Sequence, residues 1–200
     1  MHPDIQKILK VKPAYIVSFI VFLLVSISTL TAKVYAADAV WPSKTTYKYA
    51  NVNDKKIFYR EAGMQHKQTI VLLHGYPSSS HSYRELIPLL SGRYHVIAPD
   101  YLGSGYSARP NPETQKYTFE LLAQYLEGLL KTLKVKRYSL YIQDFGAPVG
   151  FRMLLNNPNK LDALIVQNGN AYLEGLTVAR QAFFKAANED KSQAQSDKIY

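Results

Sequence analysis

The chain contains no cysteine among its 200 residues, and this absence excludes several kinds of site at once. Neither a disulfide, nor a thiolate nucleophile, nor a cysteine-ligated metal can form. The histidines are spread along the chain, and no two of them have the close spacing of a metal-binding pair: His2, His66, His74, His81 and His95. We therefore predict that the chain binds no metal ion and no cofactor.

Internal repeats, low-complexity tracts and long runs of one charge are also missing from the sequence. Lysine and arginine number 24 against 15 acidic residues, which gives a formal net charge of +9. Because no basic stripe with interleaved aromatic residues is present, the pattern does not favour nucleic-acid binding. A solvated basic surface over a packed core is the simpler prediction, since 47% of the residues are hydrophobic.

The first 36 residues have the pattern of a targeting segment. Three lysines, Lys7, Lys10 and Lys12, precede a mainly apolar stretch at 14–30, and small residues before position 37 suit cleavage after Ala36. We predict a signal peptide at 1–36 and an exported protein, periplasmic or secreted. The alternative is an uncleaved anchor that faces outside, the only case in which we expect a membrane contact. Cleavage would leave 20 basic and 14 acidic residues, or +6.

Apolar patterns in the remaining chain predict strands that alternate with helices. Thr45–Val52 and Lys55–Glu61 alternate in polarity and are joined by Asn53-Asp54, as in a hairpin. Further strands are predicted at Thr69–Leu73, Tyr94–Ala98, Leu140–Ile142 and Ala163–Gln167, and helices at Ser80–Leu90, Phe119–Leu133, after Asp144 and at Thr177–Asn188. This order predicts an α/β fold with a mostly parallel sheet that opens with an N-terminal antiparallel hairpin.

Ser139 to Gly150 reads as a strand, a sharp turn and a helix, which are the parts of a nucleophile elbow. Asp144 occupies the turn, and Gly146 supplies the small residue that such a turn needs two positions later. The helix N-terminus also favours a negative charge at this place. The alternative interpretation of Asp144 is an ordinary helix cap, since aspartate is common there.

Three predicted strand ends carry distinctive residues, and such ends meet at one edge of a parallel sheet. His74-Gly75-Tyr76-Pro77 follows one strand, Asp100 begins a loop with Gly103, Gly105 and Ser107, and Asp144 follows a third strand. In combination and in this order they resemble the α/β-hydrolase fold family over about residues 45 to 172. The similarity is to its aspartate-nucleophile branch, the epoxide hydrolases and haloalkane dehalogenases.

The resemblance implies roles for particular residues. Asp144 would be the catalytic nucleophile, and the backbone N–H groups of Tyr76 and Phe145 would form the oxyanion hole. His74 would shape the loop, because the general base of the family comes later in the chain. It also implies a division into the N-terminal part of the hydrolase core at 37–170 and the start of a cap domain at 171–200.

The substrate class stays open between two members of this branch. Halide release uses side-chain N–H donors, which neither Tyr76 nor Phe145 offers, and the single tryptophan, Trp41, is far away in sequence. These features favour a small apolar epoxide as the substrate. However, Gln143-Asp144 after Ile142 resembles some dehalogenases equally well, so a halide substrate is the alternative.

No histidine follows Asp144, although the family order is nucleophile, acid, histidine. We therefore expect a hydrolase fold that is incomplete at its C-terminus, lacks its acid and histidine, and does not turn over by itself. A non-catalytic hydrolase remnant is the second interpretation. An open, apolar sheet edge after the last strand would favour self-association.

Overall fold

A computed structural model describes residues 42–170 and 172–189, and six strands of this part form one mixed sheet. Their order across the sheet is β1-β2-β4-β3-β5-β6. The strands are β1 (Thr46–Val52), β2 (Lys55–Ala62), β3 (Thr69–Leu73), β4 (His95–Pro99), β5 (Tyr138–Gln143) and β6 (Leu161–Gln167). The predicted signal peptide at 1–36 lies outside the described residues, as do residues 190–200 of the predicted cap start.

The predicted hairpin and the mostly parallel sheet are confirmed. Asn53 and Asp54 both have positive φ, 46° and 62°, as a two-residue turn matched to strand twist requires. β1 pairs antiparallel with β2, and β2 pairs antiparallel with β4. From β4 onward every pairing is parallel, so β3, β4, β5 and β6 all end at the same edge of the sheet.

The helices are α1 (Leu86–Ser91), α2 (Phe119–Thr132), α3 (Gly146–Asn156) and α4 (Val178–Glu189). The prediction of one helix over Ser80–Leu90 is wrong, because a short 3-10 helix at Ser80–Tyr83 precedes α1. The Asp100 carboxylate accepts a hydrogen bond from the Ser80 N–H at 2.7 Å, so the first turn is held by a distant strand end. No helix within the described ranges has the length and apolar character needed to span a membrane.

Two hydrophobic clusters cover opposite faces of the central strands. One joins residues of α2 and α3, such as Leu129 and Met153, to Leu140 of β5, and the other joins Ile87 of α1 to Leu72 of β3. All five residues of β3 are buried, as expected for a strand with helices on both faces. This three-layer packing fixes the ends of β3 and β5, from which the candidate site is built.

β6 lies at one end of the sheet and is much less covered. Ile165 and Val166 remain 44% and 48% exposed, although their apolar side chains would be expected to pack against a neighbour. The predicted open, apolar region of the sheet is therefore seen among the described residues. The predicted self-association was not tested and stays a prediction.

Candidate active site

Asp144 lies in the two-residue turn between the end of β5 at Gln143 and the start of α3 at Gly146. Its φ is +51°, a left-handed conformation that costs a non-glycine residue about 1–2 kcal/mol. Such a conformation persists only where the surrounding structure enforces it, and it is common at functional sites. The strand, the strained turn and the helix reproduce the predicted elbow.

Two glycines allow the elbow to pack closely against the end of β3. A Cβ atom on Gly146 would lie 2.4 Å from the backbone oxygen of Leu73, and real Cβ atoms do not approach that closely. A Cβ atom on Gly75 would lie 2.6 Å from the Cβ atom of Asp144 and 2.8 Å from its Oδ1. Both positions therefore require a residue without a side chain.

The Asp144 carboxylate contacts the loop after β3. The backbone N–H of Tyr76 donates a hydrogen bond to Asp144 Oδ1 at 2.9 Å. The N-cap of α3 is Phe145, and no side-chain hydrogen bond caps the helix there. The carboxylate is thus directed at the neighbouring loop, which does not support the interpretation of Asp144 as an ordinary cap.

Of the two predicted oxyanion-hole residues, only Tyr76 donates a hydrogen bond to the Asp144 carboxylate. No hydrogen bond within the described residues links the Phe145 N–H to Asp144. The Phe145 side chain instead stacks on the Tyr76 ring, with ring centroids 5.3 Å apart, and meets the edge of Phe119 at 5.2 Å. These three aromatic rings give the elbow an apolar border.

His74 is buried, and its contacts fit the structural role that the resemblance implies. Its Nδ1–H donates a hydrogen bond to the Gly75 carbonyl at 2.8 Å, and the centroid of its ring lies 4.2 Å from the centroid of the Tyr101 ring. The Tyr101 hydroxyl donates to the His74 carbonyl at 2.9 Å. Burial lowers the pKa of His74 and so favours its neutral form. Its Nε2 has no hydrogen-bond partner within the described part of the chain.

Asp100 joins the loops that surround the elbow. Its Oδ1 accepts from Ser80 N–H at 2.7 Å, its Oδ2 from Tyr106 N–H at 2.8 Å, and its carbonyl from the Ser107 hydroxyl at 2.7 Å. The side chain is 1% exposed, so these bonds replace the water that a carboxylate needs. The spacing of the Asp100 motif predicted its place at the edge but not this bracing role.

Arg60 is a further bracing residue that sequence reasoning missed. Its Nε–H donates to the Ser80 hydroxyl at 3.0 Å, and its Nη2 lies 3.4 Å from His81 Nδ1. The guanidinium also lies over the Tyr47 ring, 4.9 Å from the centroid. In the sequence Arg60 is one polar residue of a strand, and its partners lie some 20 positions away, so no local signal identifies it.

Within the described ranges, no group of three or more histidine, aspartate or glutamate side chains is arranged to hold a metal ion. The elbow places a carboxylate beside a backbone N–H donor. The acid and the histidine that the resemblance implies have no counterpart among the residues described at this site.

Comparison with known proteins agrees with this geometry. An uncharacterized hydrolase of Saccharomyces cerevisiae is 43% identical over 145 residues, which cover 72% of this chain and 48% of that protein. A haloalkane dehalogenase of Psychrobacter cryohalolentis is 32% identical over 117 residues, or 58% of this chain and 38% of its own length. The crystal structure of an epoxide hydrolase from Vigna radiata superposes with a TM-score of 0.57 at 30% identity, over 61% of this chain and 37% of that one.

The chain thus spans about half the length, or less, of the relatives that it matches. The model of the family described as alpha/beta hydrolase fold matches residues 68–192, well over half of the chain. This range contains the loop after β3, the Asp100 motif and the elbow. The match confirms the resemblance drawn from the three motifs: the chain belongs to the alpha/beta hydrolase fold family.

Proposed function

We propose that the chain carries the nucleophile of a hydrolase that opens small apolar epoxides through an alkyl ester of Asp144. The observation that supports this most directly is the 2.9 Å hydrogen bond from Tyr76 N–H to Asp144 Oδ1. This bond occupies one carboxylate oxygen and leaves Oδ2 as the nucleophile. The orientation of a carboxylate held in this way is set before the substrate binds.

In the first step, Asp144 Oδ2 attacks an epoxide carbon. The carbon–oxygen bond of the ring breaks, its electron pair goes to the epoxide oxygen, and that oxygen takes up a proton from solvent water. The product is a hydroxyalkyl ester in which Oδ1 is the carbonyl oxygen. The Tyr76 N–H already lies against that oxygen.

In the second step, water attacks Cγ of the ester and negative charge develops on Oδ1. A backbone donor placed beforehand at that oxygen stabilises the charge and contributes about 100- to 1000-fold in rate. The Cγ–Oδ2 bond then breaks, one proton of the attacking water goes to the departing diol oxygen, and the other returns to solvent. The diol thus leaves with an oxygen atom of Asp144, and the oxygen of the water replaces it. The resemblance gives the Phe145 N–H the role of a second donor at this stage.

The border of the site supports an apolar substrate. Tyr76, Phe119 and Phe145 form a contiguous group of rings beside the carboxylate, and none carries a side-chain N–H. Rings of this kind bind apolar or aromatic groups by contact area and edge-to-face packing. A departing epoxide oxygen stays attached to the product, whereas a halide must be stabilised as a free ion.

Haloalkane dehalogenation is the second candidate, favoured by the names of several relatives. It shares the first step, with a carbon–halogen bond as the one that breaks. It is the weaker candidate because its leaving halide needs side-chain N–H donors, which Tyr76 and Phe145 do not have. A non-catalytic hydrolase remnant is the third possibility, and the same experiment separates all three.

The test is to incubate the full chain with styrene oxide in H₂¹⁸O and to analyse the peptide that contains Asp144 by mass spectrometry. We expect either the mass of the hydroxyalkyl ester or incorporation of ¹⁸O at Asp144, according to whether the ester persists or is hydrolysed. Asp144→Asn should show no ester, while Asp54→Asn, an exposed carboxylate at the hairpin turn, should behave as the unmodified chain.

A parallel incubation with 1-bromohexane identifies the leaving group. Faster modification of Asp144 by the bromide than by the epoxide would favour the dehalogenase. Absence of both an ester and ¹⁸O at Asp144 with either compound, in a protein shown to be folded, would overturn the nucleophile assignment and favour the remnant.

A further inference from the structure

The edge of the sheet opposite Asp144 carries a group of lysines that are scattered in the sequence but close together in the fold. We call Lys131, Lys134, Lys136 and Lys160 the basic edge. The first three span the end of α2 and the approach to β5, and the fourth immediately precedes β6. All four therefore lie where the parallel strands begin.

These lysines line one cavity of about 420 Å³. Its remaining wall is largely apolar and includes Leu130, Val135 and Tyr138. Burial raises the pKa of Tyr138 to about 12, so its hydroxyl carries no negative charge that would neutralise the lysines. The cavity thus combines an apolar wall with a rim of ammonium groups.

The charge of the basic edge is not balanced by nearby acids. None of its four lysines forms an ion pair within the described residues. Glu127 is the single acidic residue that lines the cavity, against four lysines. Asp162, on the adjacent strand β6, pairs with Arg137 at 2.6 Å. The edge therefore presents a net positive potential to solvent.

Lysines near a helix C-terminus ordinarily do no more than face water and complement the helix dipole. Two features here go beyond that role. The four side chains come from two separate segments and surround an apolar recess, and they face away from the edge that holds Asp144. A partner bound at the basic edge would leave the candidate active site open to a small substrate.

The first described residues of the chain also make contacts at the amino ends of the parallel strands. The Ser43 N–H donates to the hydroxyl of Ser91 at 2.8 Å, and the Gln65 side chain donates to the Ser43 hydroxyl at 3.0 Å. Ser91 ends α1 just before β4, at the amino ends of the parallel strands. Ser43 therefore lies on the same side of the sheet as the basic edge.

We propose that the basic edge docks on the surface of a bilayer that contains anionic phospholipid. The ammonium groups contact headgroup phosphates, their methylene stems lie along the apolar recess, and Asp144 faces away from the membrane. An anionic bilayer fits better than a nucleic acid, because the lysines surround an apolar recess and no aromatic side chain is exposed among them for base stacking. The docking does not depend on the proposed hydrolase activity.

The test measures partition of the full chain onto vesicles of phosphatidylcholine with and without 30% phosphatidylglycerol. Since the N-terminal stretch can bind any bilayer, the informative quantity is the ratio of the two partition coefficients. A lysine near an anionic surface strengthens binding roughly fivefold at low salt. Neutralising the four lysines in K131Q/K134Q/K136Q/K160Q should therefore lower the ratio by roughly 600-fold.

A matched variant removes the same charge from the opposite side of the sheet. Lys55, Lys56, Arg109 and Lys116 lie near the hairpin turn and the loop before α2, and K55Q/K56Q/R109Q/K116Q should keep most of the preference for phosphatidylglycerol. The preference of the unmodified chain should also fall steeply between 50 and 300 mM salt, by screening of the surface charge.

Equal loss in both variants would show a general effect of net charge and would overturn the assignment to the basic edge. A ratio near one for the unmodified chain would overturn the proposal altogether. Tighter binding of a short RNA duplex than of the anionic vesicles, lost in the basic-edge variant, would replace the bilayer by a nucleic acid as the partner.

Discussion

At the carboxyl ends of β3 and β5, polar groups lie at fixed short distances from one another, whereas at the amino ends of the same strands most charged groups face solvent. Asp144 is held by a strained backbone, a glycine on each side and the Tyr76 N–H. Lys131 and Lys160, at the other end, have no partner that fixes them within the described residues. The same strands thus support a rigid edge and an adaptable one.

The difference has a physical cause. A reacting carboxylate must be oriented within a fraction of an ångström, so nearby atoms have to be packed around it. A surface that attracts an extended charged partner works through the summed field of several groups and needs no fixed geometry. We therefore expect small substitutions to have large effects at the carboxyl ends and small ones at the amino ends.

The largest effect is expected from Gly75→Ala. The added methyl group would meet Asp144 Cβ at 2.6 Å and Oδ1 at 2.8 Å, so the carboxylate must move away from the Tyr76 N–H. Displacing a reacting group by about 1 Å from its productive position lowers a rate by roughly 100-fold. The rate of Asp144 alkylation by styrene oxide measures this, with urea unfolding as the control for an intact fold. A rate within threefold of the unmodified chain would show that the contact is not needed.

The second substitution, Gly146→Ala, acts on stability. Its Cβ would lie 2.4 Å from the Leu73 carbonyl oxygen, a backbone atom of the central strand that cannot move aside, and overpacking of this kind costs about 3 kcal/mol. Gly128→Ala on α2 is the matched control, since its Cβ would also meet a neighbour at 2.4 Å, the Val52 Cγ1 atom. That contact is with a side-chain methyl group rather than with the backbone of a central strand, and alanine favours a helix by up to about 1 kcal/mol.

Urea unfolding of the two variants compares these effects directly. We expect Gly146→Ala to lose much more free energy of unfolding than Gly128→Ala. Equal losses would indicate that the elbow is no more tightly packed than an ordinary contact between a helix and the sheet.

Most of the fold could be predicted from the sequence, because its elements are determined by local patterns. The apolar run of β3, the turn residues Asn53 and Asp54, and the glycine after Asp144 each specify their own backbone conformation. The family match confirms the fold that these patterns implied. The position of Asp144 at a strand end also followed from the pattern, because parallel strands end at one edge.

What could not be predicted depends on contacts between distant residues. The split of the predicted Ser80–Leu90 helix results from Asp100, whose carboxylate accepts a hydrogen bond from the Ser80 N–H, 20 residues earlier in the chain. Leu89 lies within that predicted helix, yet it is 80% exposed, and Ile87 is the buried hydrophobic residue of α1. The convergence of Lys131 and Lys160 likewise arises only when β6 pairs with β5.

One group at the amino ends departs from the general contrast and gives a third prediction. Glu61 is buried and accepts hydrogen bonds from Lys48 Nζ and His95 Nε2, both at 2.7 Å. Burial alone would raise the pKa of Glu61, but the bonds from His95 and Lys48 outweigh it and hold that pKa below its usual value. A carboxyl with a lowered pKa in the folded state stabilises the fold when it is ionised.

Glu61→Gln should therefore lower the free energy of unfolding by about 1.5 kcal/mol at pH 7, as expected for loss of charge-assisted hydrogen bonds. This contribution is complete above the ordinary glutamate pKa of about 4.3, and it disappears as the pH falls through the lower pKa of the folded state. The difference in the free energy of unfolding between the unmodified chain and Glu61→Gln, measured with urea, should therefore shrink below about pH 4. A difference that grows on acidification would contradict the assigned direction.

The smallest effect on stability is expected from the basic edge itself. Lys131, Lys134, Lys136 and Lys160 are exposed and form no ion pair within the described residues, so their substitution by glutamine removes no packed contact. Surface changes of this kind usually alter the free energy of unfolding by less than about 0.5 kcal/mol each, and relief of repulsion between four like charges acts in the stabilising direction. Urea unfolding at low salt should therefore show little or no loss of the free energy of unfolding in K131Q/K134Q/K136Q/K160Q relative to the unmodified chain. A loss of several kcal/mol would mean that these lysines stabilise the fold, and the contrast between a rigid and an adaptable edge would no longer hold.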